Sequence, residues 1–93
     1  MNWQFSDPPN VAVFTNKSIV EKTDWIQDVS HDEDDGAWQF HPLNGTTEED
    51  AVVVSLRTIV EIDPSVATLF DLPLGWSASR KSKISQWERN KRK

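Results

Sequence analysis

The sequence has no cysteine, which excludes disulfide staples and thiolate metal sites and suits a reducing compartment. It has only 3 glycines, too few for a Gly-rich loop that cradles phosphate. No serine sits in a nucleophile-elbow sequence. No apolar run approaches the ~20 residues that span a bilayer, and no charged-then-apolar N-terminal segment precedes a small-residue cleavage site. These absences predict a soluble, cytoplasmic protein without membrane contact.

What is present is aromatic and acidic. The 93 residues include 5 tryptophans and 4 phenylalanines, enough for the one modest core that a chain of this length builds. The net charge of −5 hides an asymmetry. Residues 1–79 hold 14 acids against 3 bases, a net of −11, whereas residues 80–93 hold 7 bases against Glu88 alone, a net of +6. The chain therefore divides into an N-terminal arm over 1–10, a body over 11–79 and a basic flexible tail over 80–93, expected to fray beyond Lys81.

The stretch His31 to Pro42, HDEDDGAWQFHP, organises the body. Asp35-Gly36 is a strong turn signal, because glycine reaches positive φ without steric cost. A four-residue tip, Glu33 to Gly36, sets Val29 opposite Phe40 and His31 opposite Trp38 on the core face, with Asp28 opposite His41 on the other. A two-residue tip would instead bury Glu33 beside Trp38, which costs too much for an unpaired carboxylate.

Around this hairpin, Trp3 and Phe5 in the arm read as an edge strand or an aromatic flap, closed off by Pro8-Pro9. Val11 to Phe14 reads as a strand covered on both faces. A short helical turn follows, capped by Thr15 or Asn16, with Ile19 and Val20 inward. Ala51 to Val54 is the most strand-like stretch and is expected at the centre of the sheet. Ser55 caps a helix from Leu56 to about Ile62, with Leu56, Ile59 and Val60 on one stripe. Asp63-Pro64 starts another that runs to about Phe70, burying Val66, Leu69 and Phe70. Trp76 re-enters the core on an extended segment. The expected architecture is a single small α+β domain, with a mostly antiparallel sheet of about four strands and two or three short helices on one face.

Several chemistries can be weighed on these residues. The carboxylates Asp32, Glu33, Asp34 and Asp35 suggest metal, but an EF-hand count back from Gly36 puts His31 at the first ligand position and Pro42 where a bidentate glutamate belongs. No metal and no cofactor are expected. Asp28 and His41 are the candidates for a small metal-assisted or His/Asp hydrolase, although a structural cross-strand pair is the stronger reading of the two. In the tail, Trp87, Arg89, Lys91 and Arg92 are candidates for nucleic-acid binding by stacking and phosphate neutralisation, a partner that the acidic body repels. The reading that asks least is a non-enzymatic domain, monomeric or weakly dimeric, that binds another protein through Asp32, Glu33, Asp34 and Asp35.

The blocks DPPNVAVFT, HDEDDGAWQFH and VVSLRTIVEIDPSVATLFDLPLGW resemble a family of small bacterial proteins of unknown function. The Asp/Gly-Trp-aromatic strand is more loosely similar to immunity proteins of bacterial polymorphic-toxin systems. The first resemblance implies a compact α+β domain defined by Trp38, Phe40, Asp63, Pro64, Gly75 and Trp76, and it brings no catalytic residues. The basic C-terminus is not part of that pattern.

Overall fold

The computed structural model describes residues 3–92, so the first two residues of the expected arm and Lys93 lie outside the described residues. In chain order the elements are β1 (Ala12–Asn16), α1 (Lys17–Val20), β2 (Asp28–His31), β3 (Trp38–His41), β4 (Ala51–Ser55), α2 (Leu56–Ile62), a 3₁₀ helix (Pro64–Leu69), β5 (Trp76–Ser79) and β6 (Glu88–Lys91). The strands make one six-stranded sheet in the order β4-β1-β3-β2-β5-β6. Only β1 and β3 run parallel, and the remaining neighbours are antiparallel. The α+β class and the mostly antiparallel sheet hold. Four strands was an underestimate.

The hairpin pairs as its tip chemistry requires: Asp28 with His41, Val29 with Phe40, Ser30 with Gln39 and His31 with Trp38. Asp32 and Ala37 close the tip through an N–H···O=C bond of 2.8 Å, and Gly36, at φ 74°, donates back to the Asp32 carbonyl. On the core side Trp38 is fully enclosed. His31 stacks on it at 3.9 Å between centroids, and Phe5 meets it edge-on at 5.3 Å. Its indole N–H donates to Asp7 at 3.0 Å. The arm is thus an aromatic flap over the end of the core, with no strand among its described residues.

Two of the three expected caps form, whereas Asn16 ahead of α1 makes no side-chain cap bond. Ser55 Oγ accepts the Thr58 amide at 3.1 Å, and Asp63 Oδ1 accepts the Ser65 amide at 3.1 Å, each satisfying a donor that a helix start leaves open. Val13, Val29, Phe40, Leu56, Ile59, Val66 and Leu69 close the core between these helices and one face of the sheet. Among the described residues no layer covers the opposite face, as Phe14 at 43% and Val53 at 58% exposure show.

That uncovered face corrects several expectations. β1 is buried on one side only, so Val13 is enclosed while Phe14 stands out. β4 is an edge strand, not a central one. Val20 and Phe70 are exposed rather than inward, because four-residue and 3₁₀ segments turn too little of their surface to the sheet to bury adjacent residues together. The largest correction concerns the basic tail. Residues 88–91 pair in register with β5 as β6, and Arg80 is 2% exposed. Among the described residues no helix is long and apolar enough to cross a membrane.

Candidate functional site

Arg80 shows why the C-terminal segment folds back. Alternation along β5 sends Trp76, Ala78 and then position 80 to the core face, and the Arg80 amide extends the ladder by bonding Gln27 at 3.2 Å. Its guanidinium donates to Asp63 Oδ2 at 2.6 Å, to the Ile26 carbonyl at 2.9 Å, to Ser65 Oγ at 3.0 Å and to the Lys83 carbonyl at 3.1 Å. The Trp87 ring lies 4.2 Å from it, a cation–π contact. Asp63 therefore caps the 3₁₀ helix with one oxygen and holds Arg80 with the other. Among the described residues no buried side-chain polar atom is left without a partner.

The nucleic-acid candidates are largely engaged in this packing. Trp87 is half-buried against Arg80, with its indole N–H 3.3 Å from Ser65 Oγ. Arg89 donates to Asp71 at 2.6 Å and to the Thr68 carbonyl, and that bond holds the Asp71 carboxyl below the usual carboxylate range. Arg92 reaches Asp32 at 3.2 Å. Lys91 is exposed on β6.

On the uncovered face, Asp28 and His41 are cross-strand neighbours, but no hydrogen bond joins them. Instead His41 bonds Thr46 Oγ1 through Nδ1 at 2.7 Å and Gln39 Oε1 through Nε2 at 3.0 Å. The Gln39 amide nitrogen donates to Asp32 Oδ2 at 2.6 Å. Because a carboxylate only accepts, Gln39 must turn its oxygen to His41, so Nε2 of that ring carries a proton. The result is one hydrogen-bonded line across the sheet, Thr46 to His41 to Gln39 to Asp32 to Arg92. Partial burial raises the Asp28 carboxyl above its ordinary value of 3.8, against the lowering effects of His41, Arg92 and the Val29 amide. Asp28, Ser30, Ser77 and Arg92 bound an open concavity of about 290 Å³ beside Gln39 and His41.

The hairpin tip is arranged differently. Glu33, Asp34 and Asp35 are exposed; with Asp32, Gly75 and Arg92 they border a concavity of about 380 Å³. Gly75 fastens the tip to the last strand: its amide donates to the His31 carbonyl at 2.7 Å, and its carbonyl accepts the Arg92 amide at 2.8 Å. Its φ of 82° suits only glycine without strain, and a Cβ there would stand 2.9 Å from Glu33 Oε2. The ion pairs among the described residues are Arg57–Glu61, Arg80–Asp63, Arg89–Asp71 and Arg92–Asp32. None uses Glu33, Asp34 or Asp35. Among the described residues no group of three or more His, Asp or Glu side chains is placed to hold a metal ion.

Of the residues singled out from sequence, Asp32 to Asp35 share the tip and Asp28 shares the uncovered face with His41. Arg92 links the two groups. Gln39, Thr46 and the burial of Arg80 were missed, and Gly75 was marked only as a defining position of the fold. Alternation puts Gln39 on the His41 face and could have flagged it, whereas nothing local marks Arg80 as buried. Searches against protein-family models, curated proteins and solved structures each find no match to this chain.

Proposed function

We propose that the chain is a non-enzymatic protein-interaction domain whose hairpin tip receives a Lys/Arg-rich segment of another protein. The observation that carries this reading is that Glu33, Asp34 and Asp35 stand exposed and outside every ion pair among the described residues. A cationic partner meets them without displacing an internal ion pair, and the field of an acidic body speeds its approach. The finer reading is an immunity-like bacterial protein that works in the cytoplasm by capping a basic surface on its target. A hydrolytic role for Asp28 and His41 has less support, since both ring nitrogens of His41 are committed to Thr46 and Gln39.

The test is an amide chemical-shift titration with a Lys/Arg-rich decapeptide. The expected perturbations centre on Asp32 to Gly36 and Gly75. Perturbations of equal size at Glu48 to Asp50 and at Glu21 to Asp24 would reduce the interaction to general charge attraction and overturn the assignment to the tip.

A further inference from the structure

The two edges of the sheet are built differently. At one edge β6 reads Glu-Arg-Asn-Lys, exposed throughout, with the charges that discourage strand pairing. At the other edge β4 reads Ala-Val-Val-Val-Ser, with neither charge nor proline. The hydrogen-bond pattern shows which backbone groups β4 leaves open. Leu56 donates to the Val11 carbonyl at 2.9 Å and Lys17 to the Asp50 carbonyl at 2.7 Å. In an antiparallel ladder such bonds alternate, so Val52 and Val54 bond inward to β1, while Ala51 and Val53 point their N–H and C=O away from the sheet. Beside these groups, Val53 and its β1 partner Phe14 form an exposed apolar strip on the uncovered face.

We propose that this edge takes a second copy of the same chain, β4 against β4, antiparallel about a two-fold axis through Val53. In that register Val53 exchanges both backbone bonds with its counterpart, Ala51 faces the second copy's Ser55, and Val52 faces the second copy's Val54. The two sheets become one. The Phe14–Val53 strips of the two copies meet on the uncovered face, and the half-exposed valines of the other face cover each other. Charge selects the same arrangement. Glu48, Glu49 and Asp50 lead into β4 and Arg57 lies just beyond it, so antiparallel pairing sets each acidic approach against the other copy's arginine. Parallel pairing would set acid on acid. Among the described residues the Arg57 side chain otherwise pairs only with Glu61, exposed, at 3.3 Å, a pair worth little in solvent. The contact is isologous and closes at two copies. A single strand edge buries little surface, so the dimer is concentration-dependent.

The test joins sedimentation equilibrium to amide hydrogen exchange on the full chain across a concentration series. The expected mass rises from monomer to dimer, with slowed exchange at Val53 confined to the high-concentration samples. Val52 and Val54, bonded to β1, stay protected throughout. Val53→Lys places like charges across the axis, and Val53→Pro removes the outward N–H without touching the β1 ladder. Both are expected to remain monomeric at concentrations where the parent is dimeric, with unchanged far-ultraviolet circular dichroism as the control for folding. A parent chain that stays monomeric at millimolar concentration overturns the proposal. So does a dimer that persists in both variants, or one in which Val53 exchanges freely.

Discussion

Asp63 uses both carboxylate oxygens inside the protein, one on the Ser65 amide and the other on Arg80, while at the hairpin tip Glu33, Asp34 and Asp35 stand exposed, with only Asp35 Oδ1 turned back, to accept the Ala37 amide at 2.9 Å. The residue types are nearly the same and the surroundings are opposite. The Arg80 side chain is 1% exposed and Asp63 18%, so each guanidinium N–H needs a protein partner, and loss of one partner strands the rest. At the tip the carboxylates are open to water, and apart from the Asp35–Ala37 turn bond, which asparagine can also accept, neutralising them disturbs nothing beneath. Charge in this molecule is thus placed in two ways, fastening the C-terminal segment to the body and standing exposed outside the ion pairs at the tip. Net charge alone does not separate them.

The largest effect comes from breaking the buried side of the comparison. Arg80→Leu strands Asp63 and the Ile26 carbonyl and removes the seat of Trp87, so a loss of about 3–5 kcal/mol is expected in urea denaturation. A loss below about 1 kcal/mol would place Arg80 among surface charges. Next comes Gly75→Ala at the junction of tip and β6, where a left-handed backbone carries a side chain for a cost of about 1–2 kcal/mol. Hydrogen exchange should show that loss concentrated in β6 and the hairpin rather than in α2.

A smaller effect of opposite sign is expected at Asp28. Its folded carboxyl titrates above the ordinary 3.8, so between that value and the raised one the folded chain binds more protons than the unfolded chain. Stability therefore falls as pH rises through the window, and the penalty persists above it. Asp28→Asn should stabilise the protein near neutral pH by less than about 1 kcal/mol, given solvent screening at a half-buried site. It should lose that advantage below the window, as thermal denaturation across an acid pH series would show. The smallest effect belongs to the tip: E33Q/D34N/D35N should leave the denaturation midpoint within about 0.5 kcal/mol of the parent.

The tip and the fastening also differ in how far the sequence discloses them. The hairpin register is local chemistry: Asp35-Gly36 sets the turn, the loop length sets the phase, and the cost of burying Glu33 removes the rival. The caps at Ser55 and Asp63 are equally local. Arg80 is not, because its burial depends on Asp63, Ile26 and Trp87 arriving from distant parts of the chain, and an arginine heading a basic run has every local mark of a solvated tail. The place of β4 was hidden for the related reason that Ala-Val-Val-Val has the same composition at a sheet centre as at an edge. Only the pairing of β3 with β1 on its other side decides between them.

The most direct test is a calorimetric titration of a Lys/Arg-rich peptide into the parent and into E33Q/D34N/D35N at equal ionic strength. If the tip carboxylates are the presented charges, the variant binds at least about tenfold more weakly, a loss of about 1.4 kcal/mol, while its thermal midpoint is unchanged. Equal affinity in the two proteins, or weaker binding that appears only together with a lowered midpoint, would contradict the division of charge on which the functional reading stands.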